Sequence, residues 1–229
     1  TMRELKILAV VVALTLITYW GVEPYAHHEM HPPVAPADFA FSDVKESVAD
    51  VTALEGNATS GEALVTANCT ACHSIESKGF PQVMDNASSG SAYGVTPPDL
   101  GSAGKLYNAT YLAAFIKDPA TASRVAHKFV DGRAHPMPSY NWMQPQEIAD
   151  MVAYLKSIAP KEMTNKEVFT DSCQRCHAIK YADMKGGTMA AFTPKDDVKH
   201  YMGKLPPDLS QYIKSRGHHY LETFINSPE

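Results

Sequence analysis

The chain has 229 residues, of which 45% are hydrophobic and 20% are charged, so it is long enough for one large or two small domains. This composition is typical of a globular protein and excludes intrinsic disorder and collagen-like fibres. The formal net charge of −5 lacks the basic excess of a nucleic-acid-binding protein, and four cysteines are too few for a disulfide scaffold.

An apolar run near the N-terminus predicts a transmembrane helix. As a helix, residues 5–22 would be about 27 Å long, slightly shorter than a hydrocarbon core of about 30 Å. Lys6 can extend its ammonium group to one interface, and Tyr19 and Trp20 suit the opposite one. A cleaved signal peptide is the alternative, but residues 23–26, directly after the run, offer no A-x-A cleavage site. We therefore predict that residues 1–22 form an uncleaved membrane anchor.

The charges beside this helix predict its orientation. Arg3 and Lys6 precede the span, and no Lys or Arg follows it closely. By the positive-inside rule, the N-terminus then lies in the cytoplasm. Everything from Glu23 onward is predicted to lie on the far side of the membrane.

Residues 23–59 are predicted to connect the anchor to the rest of the chain. Four prolines within residues 23–40 favour an extended, semi-rigid spacer. After Ser42, a candidate N-cap, apolar residues recur at helical spacing. They predict a short amphipathic helix that packs on the following domain or on a partner. These apolar residues are Val44, Val48, Val51 and Leu54.

Two copies of the motif C-x-x-C-H occur, at residues 69–73 and 173–177. Two thiols on one helical turn can form thioether bonds to both vinyl groups of a haem, and the adjacent histidine then faces the iron. A thioredoxin-like pair does not require that histidine, and a single zinc site would need both pairs brought together. The motifs therefore predict two covalently attached haem c groups. The attachment and ligating residues are Cys69, Cys72 and His73 for one haem, and Cys173, Cys176 and His177 for the other.

The two motifs belong to an internal repeat. Cys69 maps onto Cys173 at an offset of 104 residues, and the sequence P-P-D-L at residues 97–100 recurs 109 residues later, at 206–209. One domain type therefore occurs twice. We predict the first domain at residues 60–160 and the second at residues 161–229.

The elements predicted for the first copy follow a clear order. Ser60 is the candidate N-cap of a helix that leads into the first motif, and the Gly- and Ser-rich residues 88–91 are predicted to be a loop. A short helix over residues 111–117 ends before Pro119. Pro145 begins a final helix with one apolar face. The residues of that face are Ile148, Met151, Val152, Leu155 and Ile158.

This order of motif, proline, methionine and closing helix resembles the class I cytochrome c domain. The resemblance implies an all-α fold, with tandem class I cytochrome c domains behind one N-terminal transmembrane helix. In that family a methionine from a Met-Pro loop takes the sixth position on iron, which here is Met137. A proline carbonyl accepts the proton of the proximal imidazole, which here is Pro98. The repeat carries that role to Pro207.

Other side chains compete with Met137 for the first iron. They are Met143, His127 and His135, which lie close to Met137 in the sequence. The two prolines that flank Met137 hold its loop rigid and extended, which favours Met137 as the ligand. A thioether ligand would give the haem a higher potential than a second imidazole would.

The equivalent of Met137 in the second copy falls beyond Glu229, because the repeat offset is 109 residues. We therefore expect the sixth ligand of the second haem in a C-terminal continuation, so that the second domain is incomplete. Within the chain the weak candidates are Met202, His200, His218 and His219.

The second half also resembles cytochrome c1. The sequence P-P-D-L-S at residues 206–210 is followed by a basic K-x-R segment at residues 214–216, as in that family. With its anchor and two haem motifs, the whole chain resembles the two-haem cytochrome c subunit of certain bacterial cytochrome bc1 complexes. It departs from ordinary cytochrome c1, which has one haem and a C-terminal anchor.

This second resemblance implies a place in respiratory electron transfer. The partners would be cytochrome b and the Rieske iron–sulfur protein of a dimeric bc1 complex, with a soluble cytochrome c or a terminal oxidase as acceptor. The chain would be anchored in a bacterial inner membrane with its haem domains in the periplasm. Quinol chemistry would belong to cytochrome b, so no catalytic residues are expected on this chain alone.

Three other functions share the same motifs. A cbb3-type terminal oxidase can carry a two-haem subunit with an N-terminal anchor, and a free membrane-tethered shuttle needs nothing more than this chain. A two-haem peroxidase would require an open iron position and a nearby acid–base residue. No His-Glu or Arg-His constellation is evident beside either motif, and Met137 is predicted to close the first haem.

Overall fold

The computed structural model describes residues 2–30, 42–123, 134–186, 195–202 and 204–226. Every regular element among these residues is a helix, apart from two isolated bridges, which confirms the predicted all-α fold. The chain divides into two compact units, one of Phe41–Ser210 and the other of Thr1–Ala40 with Gln211–Glu229. Both haem motifs lie in the first of these units. The domain boundary proposed between residues 160 and 161 stays a prediction.

The N-terminal segment is one continuous helical run. Helix α1 (Met2–Ile17) passes through a π-helical turn at Thr18–Val22 into α2 (Glu23–Met30). The 29 residues Met2–Met30 are long and apolar enough to cross a membrane. That they anchor the chain, and in which direction, stays a prediction.

The prediction of an extended spacer from residue 23 is wrong over residues 23–30, which are helical. Pro24 has no N–H, and its ring collides with the preceding turn of a regular α-helix. The π-helical turn relieves this conflict, because the Glu23 N–H donates to the Thr18 carbonyl five residues earlier and so widens the helix just before Pro24. Residues 31–40, with the other three prolines of the spacer, lie outside the described residues.

The predicted amphipathic helix forms two short helices, α3 (Ser42–Ser47) and α4 (Ala49–Thr52). The chain breaks at Val48, whose φ and ψ of −128° and 20° are not helical. Three of the four predicted apolar residues are buried in the core of the Phe41–Ser210 unit, whereas Leu54 is 41% exposed because it follows the end of α4. The prediction that this segment packs on the following domain is therefore right for Val44, Val48 and Val51.

Six helices build the region around the first motif. They are α5 (Ala58–Asn68), α6 (Asn86–Tyr93), α7 (Ala103–Leu106), α8 (Ala109–Lys117), α9 (Pro119–Ala122) and α10 (Pro145–Ile158). Helices α5 and α10 pack against each other, and α8 packs on α10 from the side. The most deeply buried side chains of this core include Val65, Ile75, Ile148 and Met151.

The predicted N-cap of α5 is wrong. The cap is Asn57, whose side-chain oxygen accepts hydrogen bonds from the backbone N–H groups of Thr59 and Ser60. Asn57 is itself held by α10, since its own N–H donates to the Asp150 carboxylate at 2.7 Å. The helix therefore begins one turn earlier than predicted, and Ser60 lies in its first turn rather than at its cap.

The predicted loop at residues 88–91 is also wrong, because these residues lie inside α6. The Asp85 carboxylate accepts from the Ser88 N–H at 2.9 Å and so caps the helix at its N-terminus. Gly94 ends it with a φ of +70°, a conformation that glycine adopts without steric cost. Two good end signals thus make a helix out of a sequence of weak helix formers.

The predicted closing helix is confirmed as α10, which begins at Pro145 and ends at Ile158. The Glu147 carboxylate accepts from the Gln144 N–H at 2.8 Å and completes a capping box. Four residues of its predicted apolar face are buried, and the fifth, Ile158, is partly buried against the same core.

Five more helical elements follow in the described part of the chain. After α10 come α11 (Asn165–Ser172) and α12 (Lys195–Met202), both within the unit Phe41–Ser210. A single 3-10 turn at Lys180–Ala182 lies between them. Helices α13 (Tyr212–Arg216) and α14 (His218–Asn226) belong to the other unit.

The crossing of α5 and α10 depends on Gly61. A Cβ atom on Gly61 would lie 1.9 Å from the Asp150 carbonyl oxygen and 2.9 Å from the Tyr154 Cβ. We expect Gly61→Ala to lower the free energy of unfolding by about 1–3 kcal/mol or more, because backbone must move to admit the methyl group. The exposed neighbour Ser60→Ala is the control and should change it by less than about 0.5 kcal/mol. Chemical unfolding of the detergent-solubilised chain measures both, and equal midpoints would contradict this account of the crossing.

Candidate haem sites

The first motif is a tight turn at the end of α5. The backbone N–H groups of Cys72 and His73 both donate to the Cys69 carbonyl, at 3.1 and 2.8 Å. Both thiols and the imidazole are therefore carried by a single helical turn, as attachment of one haem requires. Cys69 and Cys72 are not joined to each other in a disulfide.

The His73 ring is held by one backbone group. Its Nδ1 lies 2.7 Å from the Pro98 carbonyl oxygen, and because a carbonyl only accepts, Nδ1 carries the proton. This leaves Nε2 as the ligand atom of the ring. Burial lowers the pKa of His73, although the bond to Pro98 acts in the opposite direction. The imidazole is thus kept neutral, which is the form that binds iron.

The Pro98 carbonyl is itself fixed by the loop around it. The Asp99 carboxylate accepts from the Glu76 N–H at 2.9 Å and from the Gly101 N–H at 2.7 Å. The Leu100 N–H donates to the Ser74 carbonyl at 2.9 Å. These bonds tie both sides of Pro98 to the residues that directly follow His73.

The second motif makes the same hydrogen bonds as the first. The N–H groups of Cys176 and His177 donate to the Cys173 carbonyl at 3.1 and 2.8 Å. His177 Nδ1 lies 2.9 Å from the Pro207 carbonyl oxygen. The two predicted proline partners, Pro98 and Pro207, therefore occupy the same place beside their histidines.

The supporting loop is repeated as well. The Asp208 carboxylate accepts from the Lys180 N–H at 3.1 Å and from the Ser210 N–H at 3.0 Å, and the Leu209 N–H donates to the Ala178 carbonyl at 2.8 Å. Hydrogen bonding to Ser210 and to Lys180 lowers the pKa of Asp208. The carboxylate is therefore ionised wherever the loop is formed at neutral pH.

The two sites differ in how deeply they are buried. Cys69 is buried, and this burial raises the pKa of its thiol to about 12, with a smaller contribution from the neighbouring Cys72. Cys173, its counterpart in the second motif, is exposed. The first site thus lies within the core, whereas the second lies at the surface of the described structure.

Met137 lies in a segment that is fastened to the first motif. Three residues after it, the Tyr140 hydroxyl donates to the Asn68 carbonyl at 2.8 Å, immediately before Cys69. The Tyr140 N–H also donates to the Ile116 carbonyl at 3.2 Å. Burial raises the pKa of Tyr140, and the nearby Cys69 raises it further. Sequence reasoning missed Tyr140, which positions the Met137 segment beside the thiols.

The competing ligands are placed differently. Met143 is buried in the hydrophobic core. The Nδ1 of His135 lies 3.1 Å from both the amide nitrogen and the carbonyl oxygen of Met137, so this nitrogen is engaged by backbone. His127 lies outside the described residues. Met137 itself is partly buried, and its ligation of iron stays a prediction.

The sixth ligand of the second haem stays a prediction too. Met202 and His200 lie in α12, but their side chains are outside the described part of the chain. His218 and His219 begin α14, in the other unit, with ring centroids 4.1 Å apart.

Within the described residues, no group of three or more His, Cys, Asp and Glu side chains is gathered into a metal site. The four cysteines instead remain in two separate turns, each with its own histidine and proline carbonyl. The donor set at each turn fits a haem c: two thiols for the vinyl groups and one neutral imidazole nitrogen for the iron.

Comparison with known proteins covers the first site. Residues 58–159 match the family model described as Cytochrome c, a range that includes the first motif, Pro98 and Met137. The chain is 30% identical to a protein described as cytochrome c-553-like from Synechocystis sp.. The 125 aligned residues make up 55% of this chain and 91% of that protein. No solved structure matches the chain significantly.

Replacing Met137 tests whether it is the sixth iron ligand of the first haem. In Met137→Ala the first haem should bind carbon monoxide when reduced, and its midpoint potential should fall, because the thioether ligand is gone. Met143→Ala is the matched control: loss of a buried methionine should lower the free energy of unfolding by about 2–5 kcal/mol without opening the iron. Carbon monoxide binding by the Met143 variant alone would show that Met143 is the ligand.

Proposed function

Because the chain belongs to the cytochrome c family, we propose that it is a dihaem, membrane-anchored cytochrome of a bacterial quinol–cytochrome c reductase, the bc1 complex. In this role it accepts electrons from the Rieske iron–sulfur protein and passes them to a periplasmic cytochrome c or a terminal oxidase. The observation that carries the two-haem part of the proposal is the second histidine–proline site, which reproduces the first in its hydrogen bonds.

The residues of each site hold and orient the haem. At the first, Cys69 and Cys72 supply the thioether links and His73 the proximal nitrogen. The Pro98 carbonyl fixes the tautomer and increases electron donation by the imidazole. A bound haem supplies reversible one-electron chemistry, and a Met137 thioether would favour the reduced iron.

The second site offers the same functional groups from Cys173, Cys176, His177 and Pro207. Its exposure suits it to exchange electrons with a partner protein, since the transfer needs close approach and no substrate has to enter. Both sites lie in the same compact unit, Phe41–Ser210.

Membrane attachment is supported by the N-terminal helical run. Its 29 residues exceed the roughly 20 that a bilayer requires. Arg3 and Lys6 at its start favour a cytoplasmic N-terminus, which would put the haem sites in the periplasm.

The assignment to a bc1 complex is supported by the likeness of the second half to cytochrome c1. The sequence P-P-D-L forms the loop beside the histidine in both copies, because Asp99 and Asp208 make equivalent hydrogen bonds. It therefore does not by itself distinguish the second copy from the first. The distinguishing residues of the second copy are therefore Ser210 and the basic pair Lys214 and Arg216, which is exposed on α13.

Haem content tests the two-haem part of the proposal. The wild-type chain should contain two haems c by the pyridine haemochrome assay. Changing both cysteines of the first motif to Ala, at Cys69 and Cys72, should remove one haem, and the same changes at Cys173 and Cys176 should remove the other. A wild-type chain with one haem, or a double variant that keeps two, would refute it.

Purification of the native complex tests the assignment to a bc1 complex. Solubilised in mild detergent from its own membrane, the chain should copurify with a cytochrome b and a [2Fe–2S] protein. A copper-containing partner would instead identify a cbb3-type oxidase, and isolation of the chain alone would identify a tethered shuttle. Peroxide turnover with a five-coordinate haem spectrum would refute electron relay as its function.

A further inference from the structure

Arg175 reaches from the second haem motif to the first haem site. It lies between Cys173 and Cys176, and its guanidinium Nη2 donates to the Thr96 carbonyl at 2.5 Å. Thr96 is fully buried, two residues before Pro98. The contact therefore joins one motif to the loop that holds the histidine of the other.

Haem attachment does not explain an arginine at this position. The repeat places Ala71 at the corresponding point of the first motif, between Cys69 and Cys72. The thioether bonds need the two cysteines and the histidine, and they leave the two intervening residues open. A half-buried guanidinium is costly unless it is hydrogen-bonded, and the bond from Nη2 to the Thr96 carbonyl meets part of that requirement.

The charge of Arg175 is felt at the first site. Its guanidinium ends at the Thr96 carbonyl, two residues before Pro98, whose own carbonyl accepts from the His73 ring. Burial raises the pKa of Tyr107 in the same region, and there the Arg175 charge opposes the change. An arginine keeps its charge at every accessible pH, so its field is a constant feature of the first site.

We propose that Arg175 is a positioning residue that couples the two haem sites: its hydrogen bond fastens the second motif to the Thr96–Pro98 loop, and its charge favours the reduced state of the first haem. The inference rests on the proposed function, because it requires a haem at each motif. Reduction adds one electron and so lowers the positive charge of the iron centre, which a nearby cation stabilises.

Neutral replacements of Arg175 in the full-length, detergent-solubilised chain test this proposal. In Arg175→Gln and in Arg175→Met both haems should remain attached. The one-electron reduction equilibrium of the first haem should shift about tenfold toward the oxidised form, a fall of about 59 mV in midpoint potential. The chain without Cys69 and Cys72 identifies the potential of the second haem, and hence that of the first in the intact protein.

Two further variants separate this charge from general effects. Arg175→Lys keeps the cation and should restore at least half of the lost potential, which a merely structural role would not do. Lys199→Gln removes an exposed cation of α12 in the same unit and should leave both potentials unchanged. An unchanged first-haem potential in both neutral variants, an equal fall in Arg175→Lys, or an equal fall in Lys199→Gln would overturn the proposal.

The haem count keeps the two proposals apart. A wild-type chain that carries a single haem would overturn the proposed function and this inference with it. A wild-type chain with two haems whose first potential ignores Arg175 would overturn the inference alone.

Discussion

Each haem site depends on a hydrogen bond between a histidine Nδ1 and a proline carbonyl, at 2.7 Å for His73 and 2.9 Å for His177. The bond decides which ring nitrogen carries the proton and so which one can bind iron. Proline suits the accepting position because its φ is constrained. In both copies the next residue is an aspartate, Asp99 or Asp208, whose carboxylate accepts a backbone hydrogen bond from the segment after the histidine. The equivalent hydrogen bonds show that the two copies share this local geometry as well as their sequence similarity.

The helical scaffold serves to present these turns. Helices α5 and α10 cross at Gly61, so closely that any side chain there would meet the α10 backbone. Because α5 ends at the first cysteine, the position of Cys69 is set by that crossing. Tyr140 then joins the Met137 segment to the same helix end through the Asn68 carbonyl. The end of α5 therefore positions both Cys69 and the segment that carries Met137.

The two copies have diverged where their environments differ. The first is embedded in the core with a buried Cys69, whereas the second presents Cys173 at the surface. Arg175 in the second motif, opposite Ala71 in the first, turns this asymmetry into a connection between sites, because its guanidinium group ends at the Thr96 carbonyl.

The closing helix from Pro145 could be predicted from local signals, since a proline and a periodic apolar face lie in one short segment. The all-α class and the pairing of each histidine with its proline came from the resemblance to the class I cytochrome c domain, which the internal repeat extended to the second copy. The predicted cap of α5 was wrong because Asn57 and Ser60 are both suitable cap residues. The N-terminal helix extends further than predicted because a proline can be accommodated in a helix as well as end it. The helix over residues 86–93 was missed because its Gly- and Ser-rich sequence is equally typical of a loop. The contacts of Gly61, Tyr140 and Arg175 could not be predicted from the sequence. Each depends on a partner far away in the chain, Asp150, Asn68 and Thr96, and no local pattern records which distant backbone atom a side chain meets.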